Sequence, residues 1–185
     1  MGNVNLKVGE TKISMVHIPG GKDCGGFYIS ETPVTVEQFR SLSSKDKETE
    51  EWIEYLEEFH KSEYKDFSIM TAYTVQNVLH FFNGIKHRIF FCLPSKEQWL
   101  HLFNTHFDQV TWCKECEYRG WKKKSIDWEM TRDNSYNIYC LLGYDYDEQG
   151  KRFITGNNFV KSQERDNIGF RLVCSEWDMN NYLNQ

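Results

Sequence analysis

Helical periodicity is confined to the earlier part of this chain, and that asymmetry limits the fold more than any other feature. Trp52, Tyr55, Leu56 and Phe59 recur at i, i+3, i+4, i+7, and Val75, Val78, Leu79 and Phe82 repeat the spacing. Thr35–Gln38 and Ser95–Gln98 each read as a capping box, in which the first hydroxyl accepts from the fourth backbone N–H and the glutamine reaches back. The first opens a helix carrying Phe39 and Leu42. The second opens a helix carrying Trp99, Leu102 and Phe103 on one face. From about Asp108 to Gly150 the regular stripes stop, and Trp, Tyr, Asp and Asn dominate, which predicts a long irregular region with short strands. Helices early and loop-rich strands late predict an α+β fold rather than a doubly wound parallel sheet.

Strand patterns frame these helices. Lys12–Pro19 reads as a strand ended by Gly20-Gly21, and Gly26–Ser30 as a second one. Ile89–Leu93 predicts a short buried strand stopped by Pro94, and Ile168–Cys174 a single terminal strand. No linker or repeat interrupts the chain, so one domain is expected over residues 1–185. Aromatics make up 16% of it, enough ring area to build a core although only 39% of residues are hydrophobic.

The formal net charge is -5, and the basic residues are dispersed, the densest run being Lys122-Lys123-Lys124. That distribution disfavours a nucleic-acid partner, which needs a basic stripe along the phosphates. No apolar run has bilayer-spanning length and the N-terminus lacks a signal pattern, so a membrane is not expected as partner and a cytoplasmic location is the default.

Six cysteines are too few for a disulfide scaffold in a chain of this length. Cys92 and Cys174 lie in apolar runs, where reduced buried thiols are the ordinary reading. Cys113 and Cys116 have the spacing of half a zinc knuckle or of a redox dithiol, and no second pair accompanies them. They are candidate zinc ligands, against the plainer reading of two loop thiols. His101 and His106 are five apart, off the i, i+4 spacing of a helical metal pair, and read as surface or core-edge residues. No nucleophile–base pattern or phosphate-cradling glycine loop is present, so no residue is assigned a catalytic role. Trp112, Trp121 and Trp128 are expected mostly in the core. Tyr144, Asp145, Tyr146, Asp147, Asn157 and Asn158 are the candidate binding surface, because they bracket a turn at Gln149-Gly150 and combine amphipathic rings with adaptable polar groups.

Five segments in order carry a family resemblance. They are Met15–Gly21, Phe27–Phe39 (FYISETPVTVEQF), Leu93–Trp99 (LPSKEQW), Trp128–Asp133 (WEMTRD) and Asn167–Val173 (NIGFRLV). Together they resemble the formylglycine-generating-enzyme (sulfatase-modifying factor) family over roughly residues 13 to 174. The resemblance implies that family's variant of the C-type-lectin-like fold, with little regular secondary structure. Catalytic members hold copper through two cysteines between a glycine turn and the terminal strand, thiolate being a soft ligand suited to monovalent copper. Here Gly156–Arg165 contains neither cysteine nor histidine, so no catalytic residue carries over. Glu129 matches an acidic position near the family's calcium ion, and Asp127 is a substitute ligand beside it. Calcium wants six to eight oxygens, and the plainer reading has Glu129 and Asp133 bonding loop backbone.

The expectation is therefore a non-catalytic recognition protein for a protein, peptide or glycan ligand, with no required cofactor. Two alternatives stand beside it. One is a family oxidase with a rearranged metal site drawing on Cys113, Cys116 and Cys140. The other is a zinc-stabilised structural subunit.

Overall fold

The computed structural model describes residues 3–8, 11–35, 38, 51, 89–112, 115–118, 121–124, 128–132, 138–160 and 168–184. Of the helix expected around Thr49–Phe59 only Glu51 is described, and it is helical, whereas the one expected around Val75–Phe82 lies outside the described residues.

In chain order the described elements are β1 Val4–Val8, β2 Thr11–Ile18, β3 Phe27–Ser30, α1 Lys96–Thr105, a 3-10 turn Phe107–Gln109, β4 Glu115–Tyr118, β5 Trp121–Lys124, β6 Trp128–Thr131, β7 Ile138–Tyr146, β8 Arg152–Val160, β9 Ile168–Phe170, β10 Val173–Ser175 and α2 Glu176–Leu183. They form a mixed α and β fold with two four-stranded sheets, ordered β1-β2-β3-β10 and β8-β7-β6-β9, and a β4-β5 ribbon.

Both capping boxes form. Gln98 N donates to Ser95 Oγ at 3.1 Å and Ser95 N to Gln98 Oε1 at 2.9 Å, while Thr35 and Gln38 exchange the same bonds at 3.1 and 3.0 Å. These bonds satisfy N–H groups that a helix start leaves without intrahelical partners. Helix α1 then buries Trp99, Leu102 and Phe103, the predicted face. Strand β3 is buried along its whole length, as its central place between β2 and β10 requires.

Three expectations change. The terminal strand is two strands in different sheets: β9 pairs in parallel with β6, and β10 antiparallel with β3. Arg171 and Leu172 form the step between them, which the continuous apolar pattern conceals. Ile89–Leu93 is not a regular strand; Cys92 makes an isolated bridge to Val173, and Phe90 turns outward, 62% exposed. The stretch after Asp108 is less irregular than expected, since β7 and β8 are nine-residue partners. Two elements were also not anticipated. Strand β1 alternates Val4 and Leu6 with polar residues, and α2 is capped by Ser175, whose hydroxyl accepts from Asp178 N.

Candidate functional site

Arg171, fully buried, stands at the step between the two sheets. Its Nε lies 2.9 and 3.1 Å from the two Glu129 carboxylate oxygens, and Nη2 donates to Glu129 Oε1 at 3.0 Å. Nη1 donates to the carbonyls of Ser30 (3.1 Å) and Glu31 (2.8 Å), and Nη2 also to that of Thr111 (2.8 Å). Every N–H of the guanidinium thus has an acceptor, the condition for keeping a charge out of water. Trp99 Nε1 donates to Glu129 Oε2 at 3.1 Å. The Glu129 carboxylate therefore faces one cation and one indole N–H. This use goes beyond the loop-backbone role expected for it.

The strands place these groups. Glu129 is opposite Leu142 on the face of the second sheet that looks toward α1, and Ser30 N bonds Leu172 O at 2.8 Å across the step. Four of the five resembling segments supply polar atoms to this one cluster. The first segment pairs with the second through β2 and β3.

Beside the cluster stands a block of rings. Trp99 stacks on Phe103 at 5.4 Å between centroids, and Trp112 meets Trp99 edge-on at 5.5 Å. Phe107 lies parallel to Trp112 at 4.8 Å, and Tyr144 meets Phe107 edge-on at 5.4 Å. Such offset and edge arrangements follow the ring quadrupole. Trp112 Nε1 donates to Phe107 O at 2.7 Å, which fixes the stack. The Arg171 guanidinium carbon is 5.0 Å from the Trp112 centroid, and that of exposed Arg152 is 3.6 Å from the Phe107 centroid.

Arg152 begins β8 directly after the β7–β8 turn. Gly150 N bonds Asp147 O and Asp147 N bonds Lys151 O, both at 2.9 Å, and Gly150 has φ 76°. That is a three-residue hairpin loop closed by a left-handed glycine. Asp147 Oδ1 accepts from Gln149 N (3.0 Å) and Lys151 N (2.8 Å). Asp147 therefore locks the turn with its carboxylate.

The other surface candidates divide. Tyr144 is half-buried within the ring block, so its aromatic face packs inward. Tyr146 is 44% exposed and Asp145 is exposed, with Asp145 Oδ1 accepting from Tyr146 N. Asn157 and Asn158 sit in β8 opposite Leu141 and Cys140. Phe153 and Ile154, 45% and 37% exposed, join Tyr146 at this end of the hairpin and were not singled out from sequence. Neither were Arg152 and Phe107, whose partnership joins residues 45 positions apart with no local pattern to announce it.

Of the candidate metal ligands, Asp127 and Cys113 lie outside the described residues, and Cys116 pairs with Lys123 in the β4–β5 ribbon. Cys140 is buried in the core beside the ring block. Among the described residues no group of three or more His, Cys, Asp and Glu side chains is placed to hold a metal ion. His101 Nε2 lies 2.9 Å from Pro19 O, and its ring meets that of His106 edge-on at 5.1 Å. Burial, and then the neighbouring His101, hold His106 below the usual histidine range.

A second polar group lies on the first sheet. His17 Nε2 bonds Glu176 Oε1, and the His17 and Tyr28 rings are 5.0 Å apart. A Cβ on Gly26 would collide with the Glu176 carboxylate, so glycine permits this approach. Burial, aided by Glu176 and Cys174, pushes Tyr28 up. Cys174 is fully buried, and burial followed by Asp178 and Cys92 pushes its thiol up to about 12. Cys92 is raised as well, mainly by burial. Both are thus kept as neutral thiols, the opposite of what a metal-gripping or nucleophilic cysteine needs.

Among the described residues no helix is long and apolar enough to cross a membrane. Comparison with protein-family models, curated proteins and solved structures finds no match.

Proposed function

We propose that this chain is a non-catalytic recognition protein, built on the C-type-lectin-like scaffold of the formylglycine-generating-enzyme family, with the turn end of the β7–β8 hairpin as its ligand-facing surface. The observation that carries the reading is the contrast in how residues are used. Polar groups of the resembling segments are spent on one another around Arg171, which is a fold-holding use. Amphipathic and apolar side chains are left exposed at Tyr146, Phe153 and Ile154, on a hairpin whose turn is locked. Rigid aromatic anchors on a stiff support lose little entropy on binding.

The ligand classes are protein, peptide and glycan. Register places Tyr146 and Ile154 on the Tyr144 face and Phe153 on the opposite one, so a partner would grip the hairpin end from two sides. The test is a comparison of the unmodified protein with a Tyr146→Ser/Ile154→Ser variant on protein, peptide and glycan panels. The expected result is a partner retained by the first and lost by the second at an unchanged melting temperature. Turnover of a cysteine-containing peptide, with no partner on any panel, would overturn the reading.

A further inference from the structure

We propose that the aromatic face made by Phe103, Phe107 and Tyr144 is a seat for an arginine side chain of a partner peptide, and that Arg152 occupies it until the partner arrives. The inference rests on the recognition reading above and names the chemistry of its ligand.

Three observations carry it. The first is geometric. Phe107 stands edge-on to both Phe103 (5.4 Å, 85°) and Tyr144 (5.4 Å, 88°), so the three rings form a corner rather than a flat stack. One side of Phe107 lies against Trp112, and the other carries the Arg152 guanidinium at 3.6 Å, with Phe103 5.8 Å from the same carbon. A planar cation lying over a ring face in this way is held by the ring quadrupole.

The second concerns what else holds Arg152. Among the described residues no carboxylate pairs with its guanidinium, and its side chain is exposed. Arg171, by contrast, is saturated with hydrogen bonds. Arg152 can therefore swing into water at little cost, whereas the rings beneath it are fixed by Trp112 Nε1 bonding Phe107 O. A fixed seat under a displaceable side chain is the arrangement of an intramolecular competitor.

The third is charge. The segments bordering the seat, residues 107–109 and 146–152, contain Asp108, Asp147 and Glu148 against Lys151 and Arg152. If Arg152 is displaced within this rim, an incoming cation enters a field that remains net negative, which favours arginine over a neutral side chain of the same shape.

The test uses N-acetyl-arginine amide as probe and N-acetyl-citrulline amide as its uncharged isostere. The readout is the indole N–H resonance of Trp112, assigned with a Trp112→Phe variant, because that N–H reports directly on Phe107. In Arg152→Ala the arginine probe is expected to shift the resonance saturably. Binding should be severalfold tighter, up to roughly sixfold, than to the unmodified protein, where the internal guanidinium competes. Arg152→Gln should behave like the alanine variant. The citrulline probe should leave the resonance in place. An equal response to both probes, or no saturable shift in variants that keep the native melting temperature, would overturn the proposal. If a panel partner is still bound in that case, only the arginine seat fails and the recognition reading stands.

Discussion

Arg171 and Arg152 touch the same ring block under opposite conditions. Arg171 is fully buried, paired with Glu129 and bonded to three carbonyls, with its guanidinium over Trp112. Arg152 is exposed and, among the described residues, rests on Phe107 at close range with Phe103 beyond it. Residue type decides little until its surroundings are known. The same guanidinium is a structural keystone where every N–H is matched in a dry site. It is a loose cover where ring faces, and no carboxylate among the described residues, hold it.

The largest expected effect tests the buried member. Arg171→Met leaves the Glu129 carboxylate without its cation and should cost about 3–5 kcal/mol in urea or thermal unfolding. Combining it with Glu129→Leu should restore part of that loss, since no charge is then stranded. If Arg171→Met and Arg152→Met cost the same, the contrast is broken.

A pH scan sharpens the distinction between interior and surface. Folding raises Cys174 from the ordinary 9.0 to about 12, so the folded chain keeps a proton that the unfolded chain releases earlier. Stability from this thiol is complete below pH 9 and falls as pH climbs from there through about 12, with a limiting slope of about 1.4 kcal/mol per pH unit. Tyr28 and Cys92 shift in the same direction and steepen the fall. Denaturant midpoints that stay level between pH 9 and 11 would contradict this. The native Cys174 thiol should also resist alkylation at pH 8 and react once the chain is unfolded.

At the hairpin, Gly150→Ala forces a side chain into φ 76° with open space around it, so only backbone strain acts. The expected loss is about 1–2 kcal/mol, and Gly150→Asn should lose less. The smallest effect belongs to Arg152→Met, at most about 1 kcal/mol, as befits an exposed cation on a ring.

What sequence reveals follows the range of the interaction. Ser95 and Gln98 announce a helix start because both partners lie within one turn. The Gln149-Gly150 turn is legible for the same reason. The strand assignments at β2 and β3 hold because short, largely apolar runs next to glycine pairs meet a sheet that buries them. The step at Arg171 is hidden, since nothing in Ile168–Cys174 says that the chain changes sheets there. The seat of Arg152 is hidden as well, since its rings come from α1, the turn after it and β7. Tyr144 neighbours a turn and reads as a surface residue; in the fold it is half-buried, because Phe103, Phe107 and Trp112 come from distant segments to meet its ring.

The buried ion pair has a consequence for how the chain finds its native state. Arg171 draws its acceptors from positions 42, 60, 140 and 141 residues away. A partly assembled intermediate that dehydrates the guanidinium before Glu129 arrives would strand a charge, so intermediates of that kind are unfavourable. Closing such long loops before any reward is gained places the entropic cost ahead of the barrier's crest. Slow, concerted refolding is the kinetic signature to expect of a chain in which one cation joins segments so far apart in sequence.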